Sequence, residues 1–199
     1  MKKYLVFILT ITLLIFSGCF YTKLDTNILN YREEKQGIPE YCMLLPPEIT
    51  DEMEVKDYLY QVNYDMINGY ALFLKVEYSD ENYQKEVDRL SGYKREYSWD
   101  GEKGEGYFLY DENCKYFKYP TYIAQFFGWE SAFEYASIIG NNQIIYVYLE
   151  CMEAEDVQIE LDYLPLNYAS LPVTCTDKQY CTYSDYITYR YYHQGVWDI

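Results

Sequence analysis

Apolar and polar residues alternate most cleanly in two runs of the first half of the chain. Tyr58, Tyr60, Val62 and Tyr64 alternate with Leu59, Gln61 and Asn63, and Leu72, Leu74, Val76 and Tyr78 alternate with Phe73, Lys75 and Glu77. A period of two predicts strands with one face on the core. Asn68-Gly69 lies between them and marks a hairpin turn. A two-residue Asn-Gly loop would set Gln61, Asn63 and Asp65 opposite core positions. A three-residue loop, 67–69, instead places Tyr64, Val62, Tyr60 and Tyr58 opposite Leu72, Leu74, Val76 and Tyr78. A one-residue slip turns every side chain over, so the three-residue loop is expected, with Gly69 in the left-handed conformation.

The period then lengthens. Tyr83, Val87 and Leu90 stand at i, i+4 and i+7, a helical stripe. Ser79 or Asp80 can cap its start, Asp80 and Glu81 suit its positive end, and Gly92 can end it. "SWDGEKGEG", residues 98–106, reads as a flexible acidic loop. Strand-like runs follow at 107–110, 122–127, 133–139 and 144–149, with Gly140-Asn141-Asn142 as a turn. Val157, Ile159, Leu161 and Tyr163 alternate with polar residues and predict one more strand with a solvated face. In "YCTYSDYITYRYY", tyrosines recur every third residue, a spacing that suits neither regular element well; it is read as a strand. The fold class expected is α+β: a mostly antiparallel, meandering β-sheet with one or two helices packed on one face.

The first residues follow a different pattern. Met1-Lys2-Lys3 is cationic, and residues 4–16 are thirteen positions without a charge. That layout is a signal peptide's, with an apolar region of about 7–15 residues. It is short of the roughly 20 that a spanning helix needs, although an uncleaved anchor running to Tyr21 is the alternative. The run ends in Phe16-Ser17-Gly18-Cys19, which resembles the lipobox of bacterial lipoproteins; Phe16 stands where that family more often has leucine. The resemblance covers residues 1–19 only. It implies that the Cys19 sulfur takes a diacylglyceryl group, with palmitate-type acyl chains, and that cleavage falls between Gly18 and Cys19. A thiolate is the nucleophile such an alkylation requires, and more than one acyl chain is what stable anchoring requires. The organisation expected is therefore a signal peptide at 1–18, a mixed-polar tether at 19–37 and a single extracytoplasmic domain at 38–199. Twelve lysines against four arginines, with abundant Ile, Asn and Tyr, suggest an AT-rich genome. A Gram-positive source fits, with the protein lipid-anchored on the outer face of the cell membrane.

Charge narrows the partners. The chain carries a formal −16, and loss of residues 1–18 removes two lysines and no acid, giving −18. Such a surface repels phosphates, so nucleic acid is excluded as a partner. The twenty-eight tyrosines are read first as the composition of a β-rich fold rather than as a ligand platform. Five cysteines follow Cys19, an odd number; of them Cys175 and Cys181 are close enough to bridge in an exported protein.

Catalytic patterns are sparse. His193 is the only histidine, and Cys175, Cys181 and His193 lack zinc-site spacing and a fourth ligand. Asp100, Glu102 and Asp111 match three positions of a calcium loop, but Glu105 stands where a glycine is needed, so a solvated acidic loop is expected. Thirty-two acids make carboxylate pairs uninformative. No cofactor is expected. The expected role is a lipid-anchored envelope lipoprotein whose domain binds or scaffolds an envelope protein without catalysis. The alternatives are a cell-wall glycan-binding module, with Trp99, Trp129, Trp197 and the tyrosines as a sugar platform, and a carboxylate-based hydrolase.

Overall fold

The computed structural model describes residues 21–38, 44–64, 68–92, 94–99, 102–107, 109–126, 132–166 and 168. The expectations for residues 1–20, Cys175 and Cys181, His193, Asp100, Trp129, Trp197 and the tyrosine-rich run near the C-terminus lie outside the described residues.

Seven strands form one sheet: β1 (Tyr21–Asp25), β2 (Glu54–Tyr64), β3 (Gly69–Glu77), β6 (Leu109–Asp111), β7 (Thr121–Phe126), β8 (Phe133–Gly140) and β9 (Gln143–Glu150). Two further strands, β4 (Lys94–Trp99) and β5 (Glu102–Tyr107), pair only with each other. The helices are α1 (Tyr31–Gln36) and α2 (Asp80–Gly92), with single 3-10 turns at Ile28–Asn30 and Leu161–Tyr163. The sheet order is β1-β2-β3-β9-β8-β7-β6, and every neighbouring pair is antiparallel. Two meanders, one from each half of the chain, thus meet at the β3–β9 seam. The fold is broadly α+β and mostly sheet, as expected.

The β2–β3 hairpin keeps the expected faces and changes the register. Tyr60 pairs with Leu72 and Tyr58 with Leu74, so each partner lies four positions earlier than a three-residue loop would set it. Four is even, so Tyr58, Tyr60 and Val62 still share a face with Leu72, Leu74 and Val76. Gly69 is not in the left-handed region; the glycine with positive φ among the described residues is Gly140. What Gly69 supplies is space: a Cβ there would lie 2.6 Å from the carbonyl oxygen of Cys151 and 2.7 Å from the Met152 sulfur. The sulfur can swing aside, but the carbonyl belongs to backbone just beyond β9. Gly69→Ala is therefore expected to destabilise the fold by about 1–3 kcal/mol, read as a lower urea midpoint at unchanged slope.

The β8–β9 turn follows its residues closely. Asn141 and Asn142 both take positive φ, at 52° and 57°, and Gly140 takes 88°, the left-handed geometry that a two-residue hairpin loop demands and that Asn tolerates. Helix α2 also forms where expected: the Ser79 hydroxyl accepts from Asn82 N, and Leu90 is buried with Tyr83 and Val87 packed beside it.

Three further expectations are corrected. Residues 98–99 and 102–106 are not loop, since they belong to β4 and β5, which pair with each other. Residues 157–163 are not a strand. Val157 and Ile159 are buried on one side of the sheet while Leu161 is exposed in a 3-10 turn. This segment is held instead by Gln61, buried in β2, whose amide donates to Asp156 O (2.7 Å) and accepts from Gln158 N (2.9 Å). One side-chain amide thus plays the part of a neighbouring strand's peptide group. Finally, residues 21–37 are not a tether. They hold β1 and α1, and the Tyr31 ring is buried with its hydroxyl on Pro46 O.

Candidate functional site

The N-terminal edge of the sheet gathers the described chemistry nearest the Cys19 position. β1 pairs with β2 in the register Tyr21–Tyr64, Lys23–Val62 and Asp25–Tyr60, so Tyr21, Lys23 and Asp25 share the face of Tyr60 and Val62. Thr22 and Leu24 point to the other face. Tyr21 stacks on Tyr64 with ring centroids 4.3 Å apart. The Lys23 ammonium lies 5.2 Å from the Tyr60 ring centre and 3.2 Å from the Glu34 carboxylate.

Glu34 and Asp25 are two acids of this corner whose environments differ. Glu34, a residue of α1, is buried, and burial pushes its carboxyl up despite the bonds from Tyr58 Oη and Lys23 Nζ that favour the charged form. Asp25 is half-buried; the Asn27 amide at 2.8 Å and the Asn30 side chain at 2.7 Å hold its carboxyl below the usual range. Two carboxyls with diverging proton affinities are the pattern of an acid–base pair. Here, though, each Glu34 oxygen is engaged, one by Lys23 and one by Tyr58, and Asp25 ties down the turn that leads into α1. The pair works as a clasp closing α1 over β1 and β2.

A second polar network lies beneath α2. The Tyr146 hydroxyl is 2.8 Å from that of Tyr78 and 2.5 Å from Glu86 Oε1. A carboxylate only accepts, so Tyr146 donates to Glu86 and Tyr78 donates to Tyr146. Glu86 also takes two bonds from the Arg89 guanidinium, at 2.7 and 2.6 Å, and Arg89 donates in turn to Leu44 O. Leu44 N donates to the buried Glu134 of β8 at 2.6 Å. Both backbone groups of a fully buried Leu44 are thus held by charged side chains, which docks the segment before β2 between α2 and the sheet.

The remaining sequence candidates separate on inspection. Both oxygens of Asp111 are occupied by backbone amides of Lys115, Tyr116 and Phe117, at 2.8, 2.7 and 3.2 Å. The residue therefore shapes the loop before β7 rather than facing a cation. Among the described residues no set of three His, Cys, Asp or Glu side chains is placed to hold a metal ion, and no helix is long and apolar enough to cross a membrane. Among the described residues many tyrosines are core: Tyr31, Tyr58, Tyr60, Tyr78, Tyr122, Tyr135, Tyr146, Tyr148 and Tyr168 are all buried. The Asp25–Glu34 clasp was not read from the sequence, because its acids fall in a stretch without period. The pairing of Lys23 with a glutamate eleven positions away is a tertiary contact that no local pattern announces.

No family model, curated protein or solved structure matches this chain.

Proposed function

We propose that the protein is a lipid-anchored lipoprotein of the bacterial cell envelope, on the extracytoplasmic face, whose domain binds or scaffolds an envelope component without catalysing a reaction. The observation that carries this is Phe16-Ser17-Gly18-Cys19 at the end of a thirteen-residue uncharged run behind Lys2-Lys3. A thiol after two small residues is the substrate that lipid transfer and cleavage need. The strand at Tyr21–Asp25 supports it, because folded backbone stands within two residues of the processing point. The polar networks support a non-catalytic role, since Glu34, Glu86 and Asp111 spend their oxygens on elements of the fold. The acidic surface argues against nucleic acid as partner. We further infer that α1 and α2 lie on one face of the sheet; Tyr31 and Leu90 share a single buried cluster with Tyr58, Leu72 and Tyr146.

Metabolic labelling with a clickable fatty acid tests the anchor. The wild-type chain is expected to take the label and to shift to the processed size. Cys19→Ala is expected to lose both; equal labelling of the two chains would sink the reading.

A further inference from the structure

We propose that the β1 edge of the domain rests on the lipid surface, with Tyr21, Leu24 and Leu29 as the contact residues. The proposal builds on the Cys19 anchor and adds what the anchor alone does not specify, the orientation of the domain. Covalent geometry comes first. Cys19 precedes Tyr21 by two residues, which span at most about 7 Å. The polar layer on each side of the hydrocarbon core is only roughly 5–8 Å deep. A Cys19 whose acyl chains are inserted therefore holds the first residue of β1 at the headgroups. With residues 21–37 folded, no slack remains to lift the domain clear.

The side chains at this corner suit that position. Leu29 is 85% exposed, Tyr21 61% and Leu24 53%, and all three fall within the first nine described residues. Tyr21 lies on one face of the sheet and Leu24 on the other, so they flank the edge strand from both sides. No described strand pairs with the outer edge of β1, and its free amides and carbonyls meet hydrogen-bonding headgroups and water rather than hydrocarbon. Tyrosine, with an apolar body and a polar tip, is at home at such an interface.

Charge points the same way. Residues 21–37 hold Lys23, Arg32 and Lys35 against Asp25, Glu33 and Glu34, a balance of zero. Residues 38–199 hold eleven cations against twenty-nine acids, or −18. Anionic headgroups repel the body of the domain and not this corner, an orienting force over about one Debye length.

The test uses the full chain, processed in a lipoprotein-making bacterium and reconstituted in phosphatidylethanolamine–phosphatidylglycerol vesicles containing radiolabelled phospholipid. A diazirine amino acid is placed at position 24, at position 29 or, as control, at position 110. Tyr110 sits on β6 at the opposite sheet edge, six strand spacings away, or about 29 Å. After illumination, lipid adducts are expected at positions 24 and 29 and not at 110. Acylated protein without lipid adducts at 24 and 29, or with equal adducts at all three positions, overturns the docking while the anchor stands. A dimer-sized adduct from position 24 in place of lipid overturns it in favour of edge pairing between two copies. Absence of the fatty-acid label overturns the anchor, and the docking with it.

Discussion

Between about pH 10 and pH 12 the fold is expected to collapse cooperatively, with tyrosinate absorbance rising in step with the loss of far-ultraviolet circular dichroism. Burial pushes the hydroxyls of Tyr31, Tyr58, Tyr78, Tyr135, Tyr146 and Tyr168 well up, and that of Tyr60 to about 12. In the unfolded chain each titrates near 10. A tyrosine with a raised folded pKa stabilises the native state fully below the unfolded value, and that stability drains away as the pH climbs from 10 towards the folded value. At pH 11 each such residue favours unfolding by about 1.4 kcal/mol, and the seven together by roughly 10. A domain typically holds only about 5–15 kcal/mol, so the midpoint is expected near pH 11. A tyrosinate signal that titrates smoothly around pH 10 while the circular dichroism stays intact would show that these rings do not exclude water.

Tyr146→Ala is expected to be among the most damaging large-to-small substitutions, at about 3–5 kcal/mol. The ring is fully buried in β9, with Leu74 on one neighbouring strand and Ala136 on the other. Its removal opens a cavity where the two meanders meet, bordered by strands that cannot easily close in. It also strips Tyr78 and Glu86 of a shared partner. Tyr146→Phe separates the two contributions: it keeps the ring and is expected to cost about 1–3 kcal/mol, the penalty for a buried hydroxyl at Tyr78 left without its acceptor. Urea unfolding of both variants reads the difference. A Phe variant as unstable as the Ala variant would mean that the hydroxyl network, rather than the ring, holds the seam.

How far the fold could be read from residues depended on what each pattern encodes. Alternation at Tyr58, Tyr60 and Val62 reports which face is buried, and that was legible; it does not report register, because any even shift preserves the faces. The Asn141-Asn142 turn was legible because few residues tolerate left-handed backbone. Val157 and Ile159 misled, since a segment crossing a sheet buries alternate side chains just as a strand does, here with Gln61 standing in for a ladder partner. β5 left almost no apolar trace in a Gly- and Glu-rich run, and Tyr97 and Trp99 of β4 are too short an alternation to announce a strand. β1 escaped because an edge strand that exposes most of its residues carries no alternation to detect. The expectation for Cys19 rests on local sequence alone, whereas the clasp of Asp25 and Glu34 needed the contact between Lys23 and Glu34 across eleven positions.

The β3–β9 seam bears on the order in which the chain can fold. Phe73 pairs with Val147, 74 positions further on, whereas β2–β3 and β8–β9 are hairpins that close over a few residues. Local hairpins form in microseconds, and pairings distant in sequence come later because a long loop must be closed first. As the chain emerges N-terminus first, β1, β2 and β3 are all present before β9 exists. During that interval β3 is an open edge with Ala71, Leu72, Phe73 and Leu74 bared, all four of which end up buried. An unpaired apolar edge is a template for pairing with other chains. The half-made sheet is therefore the species most prone to aggregate, and the arrival of residues 143–150 is the event that ends its exposure.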